Sequence, residues 1–149
     1  MGVTDAWRDQ VLAQHNQARA QYGARPLYWS HSLYSGVLQL AHNCRFHHSD
    51  LQARYGENLY AGTGSAGIQD AMNSWMDEAS KYDYNHPGVS PATGRFTQVV
   101  WKSTTGVAAA IVHCPAGTIF PQPSVFIVAR YTPPGNAPGA FPQNVGRHV

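Results

Sequence analysis

Three short apolar runs constrain this chain more than anything else in it: Gly94-Arg-Phe-Thr-Gln-Val-Val-Trp101, Val107 to Val112, and Val125-Phe-Ile-Val-Ala-Arg-Tyr131. In the first, Phe96, Gln98 and Val100 alternate with Thr97, Val99 and Trp101, so an extended chain carries bulky or β-branched groups on both faces. The other two runs behave likewise. Strands that are apolar on both faces need cover on both sides. All three runs therefore read as strands of one covered sheet, and Lys102-Ser-Thr-Thr105 suits a hairpin from the first to the second.

The cover is expected from helices nearer the N-terminus. Thr4 or Asp5 can cap a first helix with Trp7, Val11, Ala18 and Tyr22 near one face, His15, Asn16 and Arg19 on a more polar side, and Gly23 at its end. The extended Pro26-Leu-Tyr-Trp29 leads to Ser30, a good N-cap for a second helix containing Leu33, Val37, Leu40 and Ala41. Ile68, Ala71, Met72, Trp75, Met76 and Ala79 form the clearest helical stripe, with Glu78 at its edge, roughly 90° from the centre. Helices first and antiparallel strands later predict an α+β chain, a three-layer α-β-α sandwich with a central antiparallel sheet. The 149 residues make a single domain, 1–149, in which 132–149 is an irregular tail rich in Pro and Gly.

Charged residues are only 12% of the chain and the net charge is +2, with the basic groups scattered, which gives no basis for a nucleic-acid partner. No apolar run approaches the roughly 20 residues of a transmembrane helix. Cys44 and Cys114 allow one intramolecular pairing and lack a Cys-x-x-Cys partner. A disulfide there closes a loop worth roughly 4 kcal/mol in the chain-entropy model, and it requires an oxidising compartment. Two buried free thiols are the alternative. The first residues lack the apolar core of a signal peptide, so secretion implies one already removed.

Motifs for phosphate loops, nucleophile elbows and zinc helices are missing. Of eight histidines, His42, His47 and His48 follow no single helical metal spacing. Glu57 stands among aromatic, Gly and apolar residues, where a carboxylate usually has a partner. Glu57 and Glu78 could be drawn as an acid/base pair, but nothing in their spacing brings them together.

Several motifs, in order, carry a resemblance. Gly94-Arg-Phe-Thr-Gln-Val-Val-Trp-Lys102 resembles a signature of the superfamily of cysteine-rich secretory proteins, antigen 5 and pathogenesis-related class 1 proteins. Tyr131-Thr-Pro-Pro-Gly-Asn136, Cys44-Arg-Phe-His-His-Ser49 with Gly56-Glu-Asn58, and His15-Asn-Gln-Ala-Arg19 resemble its other motifs. The two cysteines and Asp83-Tyr-Asn-His-Pro-Gly88 look most like its fungal secreted branch.

The resemblance implies the same sandwich, secretion, and a central cleft of two His and two Glu in which the His bind a divalent metal. His48, Glu57 and Glu78 match three of these positions, and the fourth is Arg95. A guanidinium has no lone pair for a cation, so no cofactor is expected; His48, Glu57 and Glu78 are weak ligands, and Arg95 should pair with Glu57 or Glu78. The family's sterol-binding loop is matched by Tyr82 and Tyr84, with Val89 where a third aromatic is expected. The leading expectation is non-enzymatic binding of a sterol, fatty acid or other small hydrophobic molecule. The alternatives are a recognition domain for an extracellular protein partner with a vestigial cleft, and a hydrolase, against which Arg95 counts.

Overall fold

The computed structural model describes residues 4–49 and 54–149. In chain order the elements are α1 (Asp5–Ala20), β1 (Tyr28–Trp29), α2 (His31–His42), β2 (Gly56–Thr63), α3 (Ile68–Asp77), a single 3-10 turn (Glu78–Lys81), α4 (Gly94–Val100), β3 (Gly106–Cys114), β4 (Ser124–Thr132) and α5 (Phe141–Asn144). The sheet runs β1-β3-β4-β2. β3 and β4 pair antiparallel from Gly106↔Thr132 to Cys114↔Ser124, and β2 pairs antiparallel with β4 from Gly56↔Tyr131 to Thr63↔Ser124. β1 adds a two-residue parallel bridge to β3.

Alternation along β3 and β4 creates the layers. Val107, Ala109, Val125, Ile127 and Ala129 face one way and join Val11, Ala71, Trp75, Phe96 and Val99 in the core beneath α1, α3 and α4. Ala108, Ala110, Val112, Phe126 and Val128 face the other way and meet Leu33, Val37 and Ala41 of α2. Strands apolar on both faces thus divide two sets of helices, as the sequence pattern predicts. Cys44, just beyond α2, is disulfide-bonded to Cys114 at the end of β3, across a Cα separation of 5.7 Å. The bond ties the α2 layer to the sheet.

Three expectations are corrected. Gly94–Trp101 is not a strand, and residues 94–100 form α4, in which Phe96, Thr97, Gln98, Val99 and Val100 are all buried. A short segment enclosed all round looks alike in period-2 and period-3.6 readings, and tertiary burial overrides the β preference of Val and Thr. Lys102–Thr105 consequently joins a helix to β3 and makes no hairpin. The third antiparallel strand is instead β2, whose Gly and Asn content conceals it. In α1, His15 and Arg19 are not on a polar side: both are fully buried.

Candidate functional site

Each glutamate of interest is placed by a different element and held by a different arginine. Glu57 is the second residue of β2 and sits directly across from Arg130 of β4. Arg130 Nε donates to Glu57 Oε2 at 3.1 Å, and both side chains are almost wholly enclosed. Ser49 donates its backbone N–H to Oε1 at 2.9 Å and its hydroxyl to Oε2 at 2.8 Å, and His48 Nδ1 donates to Oε1 at 3.1 Å. Burial alone pushes the Glu57 carboxyl upward, but the hydrogen bonds from His48, Ser49 and Arg130 together outweigh it and bring it down to about 2.

Glu78 turns inward at the end of α3. One carboxylate oxygen accepts the backbone N–H groups of Arg95 at 3.0 Å and Phe96 at 3.1 Å, and the other accepts Arg95 Nε at 2.5 Å. Thr93, the N-cap residue of α4, makes no side-chain cap, so Glu78 supplies the missing acceptor from another part of the chain. A negative charge is also favourable at that helix end. The Arg95 guanidinium reaches on to the Pro91 carbonyl at 3.2 Å and stays partly in water.

An open cleft of about 510 Å³ brings together His48, Glu57, Asn58, Arg95, Gln98 and Val89. Glu78 lines a neighbouring depression of about 580 Å³ with Phe46, Tyr60 and Lys81, and Arg95 lines both. His48, Glu57 and Arg95 line one cleft, while Glu78 lies behind the guanidinium. The donor set does not fit a divalent cation. One of the four positions has no lone pair, and both carboxylates already accept from arginine. Among the described residues no group of three or more His, Cys, Asp and Glu could hold a metal ion.

A buried chain of polar groups supports the cleft wall. His15 Nδ1 donates to Val11 O at 2.8 Å, which leaves Nε2 to accept the Tyr131 hydroxyl at 2.7 Å. Asn58 Nδ2 donates to Arg95 O at 3.1 Å and to the Tyr131 oxygen at 3.4 Å. Burial, with a smaller contribution from the Arg19 charge and against the Val11 hydrogen bond, lowers the His15 imidazole to about 4. Burial raises the Tyr131 phenol. Gln98 accepts from Gly135 N at 2.9 Å and donates to Thr104 Oγ1 at 3.2 Å.

The residues expected to form a lipid mouth fall in two places. Tyr82 is buried and meets Tyr84 edge to face at 4.7 Å. The Tyr84 hydroxyl donates to Gly146 O at 2.6 Å, and the Arg147 guanidinium lies 4.5 Å over its ring. These two tyrosines line a pocket of about 290 Å³ with Pro87, Pro142 and Val145. Val89 lines the central cleft and is 70% exposed.

Sequence reasoning missed Arg130, Asn58 and Gln98 as site residues. Arg130 left one signal, a lone charge near the end of a largely apolar strand, and such a charge needs a partner when buried. Asn58 and Gln98 left only their place inside the motifs that carry the family resemblance, which gives neither a role.

Solved structures share the fold. The crystal structure titled NaASP2 with Zn2+ superposes with a TM-score of 0.74 at 19% identity, covering 99% of this chain and 86% of that one. MpPR-1i superposes with a TM-score of 0.71 at 18% identity over 92% and 94%. In sequence, pathogenesis-related protein PRMS of Zea mays is 38% identical over 141 residues, 88% of this chain and 79% of that protein. Protein PRY2 of Saccharomyces cerevisiae is 35% identical over 138 residues, 91% of this chain but 40% of the longer yeast protein. The model of the cysteine-rich secretory protein family matches residues 12–131, and the chain belongs to that family, also called CAP.

Proposed function

We propose that this chain is a secreted CAP domain that binds a sterol or another small hydrophobic molecule and performs no catalysis. The observation that carries the non-enzymatic half is the saturation of Glu57 and Glu78 by arginine and backbone donors. A general base needs a free lone pair facing the substrate, and a carboxyl brought down to about 2 is a poor proton acceptor near neutral pH. The lipid half draws support from the loop between Tyr82 and Val89. Its base is pinned by the tyrosine pair, and its tip presents an exposed apolar side chain at the cleft rim. A fixed loop with an apolar tip docks a rigid hydrophobic body at little ordering cost.

The test is binding of a labelled sterol and a labelled long-chain fatty acid, each competed with unlabelled ligand. Saturable sterol binding that Val89→Phe strengthens and Val89→Asp weakens is expected. Binding of neither ligand would sink the lipid reading.

A protein partner is the second reading, favoured by the placing of Phe46 and Val89. These exposed apolar side chains, 54% and 70% accessible, line the two depressions that Arg95 borders. Such a pair resembles the apolar anchors of a recognition surface.

A further inference from the structure

β4 covers one edge of β3 along its whole length, whereas β1 covers the other only at Gly106 and Val107. Successive residues of a strand turn their main-chain groups to alternate edges. Val107 O accepts Ser30 N at 2.8 Å on the β1 side, so Ala109, Ile111 and His113 also present their N–H and C=O away from β4. The Trp7 indole N–H takes the Ala109 carbonyl at 2.7 Å. Beyond it, the edge at Ile111 and His113 has no hydrogen-bond partner among the described residues.

This bare edge lies in a groove of about 330 Å³. Trp7 of α1 forms one wall and Tyr34 and Leu38 of α2 the other, with His42 and His113 exposed at the rim. Proteins usually blunt a free edge with a lysine, a proline or a bulge. Ala108 to Cys114 contains neither residue and pairs with β4 in unbroken register.

We propose that this groove takes an extended peptide segment of another protein, added as a strand beside β3. Two observations select that occupant. A hydrocarbon chain laid in the groove buries the N–H and C=O groups of Ile111 and His113 without partners, which is costly, whereas a peptide backbone pairs them. The lining residues include two imidazoles and no carboxylate, so the ring N–H groups of His42 and His113 are donors that suit an acceptor-only acidic side chain on the added strand. Alternate side chains of the added strand drop to opposite sides, one set against Trp7 and Ile111, the other against Leu38 and Val112. A second copy of this chain is disfavoured because the edge is recessed between two helices. This site is separate from the cleft and does not depend on the lipid reading.

The probe is an acetylated heptapeptide alternating valine and threonine with a terminal glutamate, titrated into the isotope-labelled protein while amide hydrogen exchange is followed. Free protein should exchange fast at Ile111 and His113 and slowly at Ala110 and Val112, which pair with β4. Saturating peptide should slow Ile111 and His113 by at least about tenfold, and N-methylation of alternate peptide residues should abolish the effect. Leu38→Glu should weaken binding by about tenfold or more. The methylated peptide keeps the result interpretable should that variant fold poorly. Unchanged exchange at about 1 mM peptide, equal binding of the methylated peptide, protection by myristate alone, or protection by raised protein concentration alone each overturns the proposal.

Discussion

Arg95 and Glu78 form a two-part lock: the guanidinium pairs with one carboxylate oxygen while the other caps the backbone of the helix on which Arg95 rides. The same carboxylate therefore fixes α4 and the only charged side chain that α4 carries.

Replacing Glu78 with alanine should destabilise the fold by about 2 kcal/mol or more, since it strands two helix N–H groups and a partly buried guanidinium. Arg95→Met should cost about 1 kcal/mol or less, because that side chain is part solvated and the cap survives. Urea denaturation of the two variants checks the order. A larger loss in Arg95→Met contradicts the capping role.

At the other carboxylate both partners are enclosed. Arg130→Met leaves Glu57 without its strand partner and should cost about 3 kcal/mol or more. Combining it with Glu57→Gln should recover part of that loss, and the coupling between the two sites should exceed about 1 kcal/mol in a double-mutant cycle. Strict additivity would show that the pair is incidental.

Acid stability follows from His15 and Glu57. The imidazole is lowered from 6.5 to about 4 in the folded protein, so the unfolded chain binds the extra proton between those values. The stability that a neutral His15 contributes is full above about pH 6.5 and is lost as pH falls to about 4, by about 3 kcal/mol in all. Glu57, lowered from 4.5 to about 2, adds a second loss in the same direction below about pH 4.5. Denaturant midpoints measured from pH ~7 to ~3.5 should fall throughout, and His15→Gln should flatten the upper limb. A flat wild-type profile between pH ~6.5 and ~4.5 contradicts the assigned neutral, buried imidazole.

Gly56 provides the room that Gln98 needs. A Cβ at Gly56 would stand 1.9 Å from Gln98 Oε1, the oxygen that accepts from Gly135 N. Gly56→Ala should therefore dislodge Gln98 and cost about 1–3 kcal/mol. Thermal melting checks this, and a neutral result means that Gln98 relaxes freely.

The layers were legible in the sequence because β3 and β4 are apolar on both faces and α3 keeps a clean stripe. The register of the sheet was not, since β2 begins Gly-Glu-Asn and its fit depends on Arg130 and on the space around Gln98. α4 was misread for a related reason: its helical state depends on Glu78, which lies a loop away, and on burial from every side. His15 and Arg19 looked polar and are core groups because specific partners satisfy them. His15 meets Val11 and Tyr131, and Arg19 donates to the carbonyls of Arg25, Val99, Trp101 and Thr104. His48, Glu57 and Arg95, which line one cleft, are singled out by motif resemblance alone, whereas the split of Tyr82 and Tyr84 from Val89 depends on how the C-terminal tail docks, which no local pattern encodes.

The most direct test of an arginine-filled cleft is calorimetric titration of Zn2+ into the intact protein and into Arg95→His. The account predicts no saturable site near His48 in the wild type and a gain of affinity in the variant. Submicromolar binding to the wild type, abolished by His48→Ala, contradicts it.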